Sequence, residues 1–222
     1  MDLAVSLLFV YLVMLGLGAW LPVPAPGVRL MAGGALVPIA MHSGAVGGGL
    51  PLSWLGWTLT GIAAGGLVFC YRRGRRWDAS KLLREVRHPV YVLPALIAAV
   101  ALAHGDIPYV PYGQDEFTSW MYWPRQQFVA DAVWRADMAW NIKGYMQGWP
   151  LSIVFAQTAW DEFSGVRGIA VAAMWHVGLL GVAYDLIDER LRGEDMAAGQ
   201  AAALAWSVVG LMLAAEADGS AA

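Results

Sequence analysis

Charge is scarce in this chain of 222 residues: only 14% are Asp, Glu, Lys or Arg, against about 25% in a soluble domain. That scarcity excludes an ordinary water-facing globular surface. With 59% hydrophobic residues and a mean hydropathy of +0.52, the chain reads as an integral membrane protein. Cysteine is nearly absent; Cys70 stands alone, so no intrachain disulfide can form. The net charge of −3 comes without any basic stripe, which argues against a nucleic-acid partner. No Lys/Arg cluster precedes the first apolar run, so Leu3 to Leu21 is expected as a retained membrane helix rather than a signal peptide. No Ser-His-Asp set, Cys/His zinc pattern or phosphate-binding glycine loop occurs.

Aromatic residues and long apolar runs are abundant. The 12 Trp and 8 Tyr suit interfacial belts, where amphipathic rings rest at headgroup level. Apolar runs predict spans at Leu3 to Leu21, Leu30 to Gly47, Leu52 to Tyr71, Pro89 to Ala103, Gly168 to Ile187 and Met196 to Ala215. Prolines 22, 24 and 26 close the first run, and Gly47 to Gly49 with Pro51 close the second. Gly61, Gly65 and Gly66 would let a neighbouring helix approach the third. Trp149 to Trp160 is short for the ~30 Å hydrocarbon core; it either crosses a locally thin bilayer or is re-entrant. The expectation is an all-α polytopic transmembrane bundle of about seven spans. Arg72, Arg73, Arg75, Arg76, Lys81, Arg84 and Arg87 crowd one loop, which predicts a cytoplasmic position for it. The chain divides into residues 1–88, with the N-terminal helices and this loop, and 89–222, with a large extracytoplasmic loop at 104–148.

That large loop is the longest polar interval of the chain. Phe117 with Trp120 and Met121, and Phe128 with Val129, Ala132 and Val133, share helical faces. They predict amphipathic interfacial helices over Phe117 to Tyr122 and Gln126 to Trp140, separated at Pro124, with Phe128, Val129 and Val133 buried. Adjacent Asp115 and Glu116 could take a proton from an attacking group, or bind a divalent cation such as Mg or Mn. They could equally cap a helix. Arg125 and Lys143 are candidates for contact with phosphate, more so than Arg135, which can pair with Asp131 or Asp137. His176 lies mid-span, where ionisable groups are functional candidates, although a packed, hydrogen-bonded histidine is the commoner case. Asp185 lies near a helix end and can reach the interface. Asp161-Glu162 repeats the acidic pair; it falls on the opposite side of the membrane if the preceding helix spans, and there caps the next helix.

The order of DEFTSWMYWPR, GYMQGWPLSIVF and DEFSGVRGIAVAAM between apolar spans resembles the N-terminal module of the GT-C glycosyltransferases over roughly Pro89 to Ala215. Asp115-Glu116 matches the acidic motif that opens the first large loop of that superfamily. Tyr145 with Gly148-Trp149-Pro150 stands where a Tyr-Pro-Pro-type motif opens the next helix. The resemblance implies transfer of a sugar from a polyprenyl-phosphate donor to an extracytoplasmic acceptor, at a bacterial-type cytoplasmic (inner) membrane. It implies catalytic Asp115 and Glu116, substrate contacts from Arg125, Lys143, Tyr145, Trp120 and Trp149, and membrane lipids as surroundings. Members of the superfamily are longer, so a second subunit or a missing C-terminal half is expected. The alternative is a non-catalytic scaffold subunit or a small-molecule transporter.

Overall fold

The computed structural model describes residues 2–23, 25–73, 87–104, 121–135, 138, 147–192, 200 and 203–207. Every regular element among them is helical: α1 (Asp2–Gly18), α2 (Pro26–Gly48), α3 (Leu52–Arg73), α4 (Pro89–His104), α5 (Trp123–Ala130), α6 (Gly148–Ala156) and α7 (Gly165–Arg192). Helices α2, α3 and α7 are long and apolar enough to cross a membrane, while α1 and α4 are shorter apolar helices. Of the last expected span, Met196 to Ala215, only 200 and 203–207 are described.

Successive long helices run up and down, so the bundle has two ends. Gly18, Pro26, Arg73 and Pro89 lie at one, the arginine end. Asp2, Gly48, Leu52 and Gly165 lie at the other, the distal end. Pro26 opens α2 in its first turn, where its missing N–H leaves no helical bond unmade. Gly49 ends α2 with φ 63, the left-handed conformation that glycine adopts without a Cβ clash. Contact between helices is backbone to backbone at small residues. Gly27 of α2 lies on Gly181 of α7, and Gly66 of α3 on Gly16 of α1, so a Cβ at either crossing would collide with main chain. Of the three glycines expected to pack on α3, Gly66 does; Gly65 meets only Trp20, and Gly61 faces open space.

Two apolar cores fill the bundle. Leu7, Val10, Leu30, Val90, Met174 and Val177 join α1, α2, α4 and α7. Val13, Val37, Met41, Leu59, Leu151 and Phe155 join α1, α2, α3 and α6. The outer faces are apolar as well: Ile39 is 60% exposed, Trp54 69% and Leu186 62%. Helices apolar inside and out are built for a hydrocarbon solvent.

Helix α6 has nine residues, or about 14 Å at 1.5 Å per residue, too short to span. Residues Pro150 to Ala156 are all buried, so it is a short helix enclosed by longer ones. Its chain then turns at Gln157 to Ser164 and enters α7 at the distal end. Helix α7 runs on to Arg192, so Asp188 to Arg192 are helical rather than part of the expected mixed-charge loop.

Candidate functional site

Side chains of differing chemistry converge at the distal end around α5. Met121 and Tyr122 lead into this helix through a wider turn, and Pro124 stands in its first turn; residues 117–120 of the helix expected over Phe117 to Tyr122 lie outside the described residues. The helix expected over Gln126 to Trp140 stops at Ala130. Asp131 takes the left-handed conformation, φ 51, which aspartate tolerates better than most residues. The gain lies in α3. Asp131 Oδ1 accepts from Ser53 N at 2.6 Å, Oδ2 accepts from Ser53 Oγ at 2.7 Å, and its carbonyl accepts from Leu52 N at 3.3 Å. Asp131 thus caps α3 from a distant part of the chain.

The face that α5 buries also differs from expectation. Val133 is buried and Phe128 half-buried, but Val129 is 75% exposed. Gln127 turns inward instead, fully buried, and donates from Nε2 to Gln147 Oε1 and to the Val133 carbonyl. A buried amide needs such partners, and meeting them rotates Val129 outward.

Two cavities flank α5 and share Val129. The first, about 540 Å³, is lined by Tyr122, Arg125, Gln126, Arg135 and Met138. Its ionisable lining among the described residues is cationic: Arg125 and Arg135. The second, about 480 Å³, is lined by Trp57, Phe128, Asp131, Thr158, Trp160 and Asp161 with Ser53 and aliphatic neighbours. Its ionisable lining among the described residues is anionic. A third, about 430 Å³, lies beside α2 at Pro38, His42, Ser43, Trp134 and Gln147. The His42 ring meets Trp134 edge to face at 5.7 Å, and its buried Nδ1 has no hydrogen-bond partner among the described residues.

The second cavity corrects the expected position of Asp161. Because α6 does not cross the bundle, Asp161 lies with Asp131 at the distal end, not on the opposite side. Nor does Asp161 act as the expected cap: the turn is closed by other groups. Ser164 N donates to Gln157 Oε1, and Gln157 Nε2 donates to the Ser164 carbonyl. Arg167, only 2% exposed, ties the turn to α1. Its Nη1 donates to Gln157 Oε1 and to the Glu162 carbonyl, and its Nη2 pairs with Asp2 at 3.2 Å. The guanidinium lies 4.5 Å from the centre of the Trp160 ring, which Phe9 meets edge-on at 5.7 Å. Trp160 is thereby held in the cavity wall.

Of the residues singled out in the sequence, Asp115, Glu116, Trp120, Lys143 and Tyr145 lie outside the described residues. Arg125 lines the cationic cavity together with Arg135, the arginine that the sequence ranked lower. Trp149 packs against the first core and lines none of the three cavities. His176 is exposed on α7, its Nδ1 2.8 Å from the Ala172 carbonyl one turn back. Arg167 was missed. A cation in the first turn of a helix opposes the helix dipole, and that was a signal that it needs a partner.

These features define a membrane protein that is all-helical among the described residues, where three helices are long and apolar enough to span. No family model, curated protein or solved structure matches the chain.

Proposed function

We propose that this chain is a membrane transferase, or part of one, that takes a sugar from a polyprenyl phosphate and works at the distal end of the bundle. The observation that carries the reading is the convergence of Arg125 and Arg135 on one cavity. Planar guanidinium forks suit phosphate oxygens, and the flanking apolar helices suit a lipid tail. In this reading about six helices span the bilayer, with α6 enclosed among them, and the arginine-rich loop lies in the cytoplasm. The cavity then opens on the outer side of a bacterial-type cytoplasmic membrane. Asp115 would act as general base, Glu116 would support it or help hold Mg or Mn, and Lys143 would add a third cation.

The test is binding of undecaprenyl phosphate to the purified full chain in detergent, measured by isothermal titration. Arg125→Gln and Arg135→Gln should each weaken binding about tenfold, the loss expected for one charge-assisted contact. Unchanged affinity in both variants would overturn the reading. A small-molecule transporter is the second reading, favoured by the short enclosed helix α6. Failure to bind the lipid phosphate would give that reading precedence.

A further inference from the structure

The second cavity has no part in the phosphate reading, and its chemistry is the reverse of its neighbour's. Three aromatic rings, Trp57, Phe128 and Trp160, share its lining with two carboxylates. The carboxylates are not equivalent. Both oxygens of Asp131 are engaged by Ser53, so this group is committed to the cap of α3. Asp161 is exposed at the cavity. A hard divalent cation takes six or more oxygen ligands, and one uncommitted carboxylate with one Thr158 hydroxyl is a poor donor set for it. No group of three or more metal-ligating side chains occurs among the described residues. An anion is disfavoured by both carboxylates.

What remains is a cation with an apolar coat. Aromatic faces attract alkylammonium groups through the ring quadrupole, and a nearby carboxylate adds charge. Arg167 and Phe9 hold the Trp160 ring before any ligand arrives; the guanidinium, paired with Asp2, covers one face, which leaves only the other to a ligand cation. We propose that the cavity between α3, α5 and the turn after α6 binds an alkylammonium group, with Asp161 as counter-ion and Trp57 and Trp160 as aromatic walls. The site is independent of the lipid-phosphate reading and stands or falls separately. Trp54 precedes Trp57 by one turn of α3 and is 69% exposed, so the cavity lies at a face already open to lipid. A zwitterionic headgroup and a soluble amine are the two sources of such a group.

Tetramethylammonium chloride is the probe, titrated into the full chain in phosphatidylglycerol nanodiscs and followed by saturation-transfer NMR. Wild-type protein should bind it. Asp161→Asn and Trp57→Leu should each weaken binding about tenfold, the scale of a partly desolvated cation–π contact. Both side chains are exposed, so neither substitution disturbs the core. Trp54→Leu and Arg125→Gln should leave binding unchanged, and Arg125→Gln also separates this site from the phosphate cavity. Repeating the titration in phosphatidylcholine nanodiscs assigns the source: a weakened probe identifies a headgroup, and an equal affinity identifies a soluble amine. The proposal is overturned if wild type does not bind, or if Asp161→Asn and Trp57→Leu bind as wild type does. It is also overturned if methyl glucoside, a neutral sugar, binds through these two residues and tetramethylammonium does not.

Discussion

A guanidinium buried to 2% exposure costs several kcal/mol in lost hydration unless its donors are met. Arg167 meets them with Asp2, Gln157 and the Glu162 carbonyl, and so joins the start of α1 to the start of α7. Replacing Arg167 by Met should destabilise the protein by about 3 kcal/mol, because it strands partners that are themselves partly buried. Lys should not restore stability, since one compact ammonium cannot match a fork of donors. Thermal unfolding in detergent reads both. A second residue-scale prediction concerns the arginine end. His88 Nδ1 accepts from Val90 N at 3.2 Å, so Nε2 carries the proton that it directs to Asp185 Oδ1 at 2.9 Å. Asp185 Oδ2 accepts from Gly27 N at 2.8 Å. The carboxylate therefore joins α2, the start of α4 and α7. Asp185→Asn should cost nearly as much as Asp185→Ala, roughly 1–3 kcal/mol, because an amide cannot accept from both donors at once. Near-native stability of Asp185→Asn, read in the same unfolding assay, would contradict this assignment of the proton.

At the scale of elements, the crossings between helices depend on missing side chains. Gly27→Ala drives a methyl into the backbone of Gly181 and Val182, and Gly66→Ala drives one into Gly16. Each should destabilise by about 1–3 kcal/mol through overpacking. Gly61→Ala meets nothing and should be neutral or slightly stabilising. Denaturation in detergent, run side by side, distinguishes the three. The other element-scale dependence is α5 on α3. Asp131→Ala removes the cap of α3 and places a poor residue in the left-handed region, for a loss of about 1–2 kcal/mol. Asp131→Asn keeps one acceptor and tolerates that conformation, so it should lose less. If Ala and Asn behave alike, the cap is not what holds α5 to α3.

For the whole molecule, the short α6 decides which groups share a side of the membrane. With α6 enclosed rather than spanning, Asp161 and Val129 emerge at the same end and Arg72 at the other. Single cysteines at these three positions, in a Cys70→Ser background, should react accordingly with an impermeant thiol reagent. Positions 129 and 161 should label in intact cells, and position 72 only after permeabilisation. Labelling of 161 together with 72 would contradict the enclosed α6. A complete reversal of the pattern would keep the fold but invert the orientation taken from the arginine-rich loop.

Residue chemistry by itself determined the solvent of this protein, because scarce charge and long apolar runs leave no alternative to hydrocarbon. It also determined where α2, α3, α4 and α7 lie, since length and hydropathy are local properties that need no partner. The type and position of Arg125 singled it out in the sequence, and it lines a cavity in the structure. Tertiary structure decided whatever depends on contact between distant segments. That Asp131 ends α5 is set by the amides of α3, 78 residues away in sequence. That Arg135 joins Arg125 at a cavity, and that Asp161 joins Trp57, follows from how α5 and the turn after α6 pack. The fate of Trp149 to Trp160 was undecidable from its residues, because an apolar run of that length is stable in a bilayer or inside a bundle. Neighbouring helices enclosed it and made the second environment available.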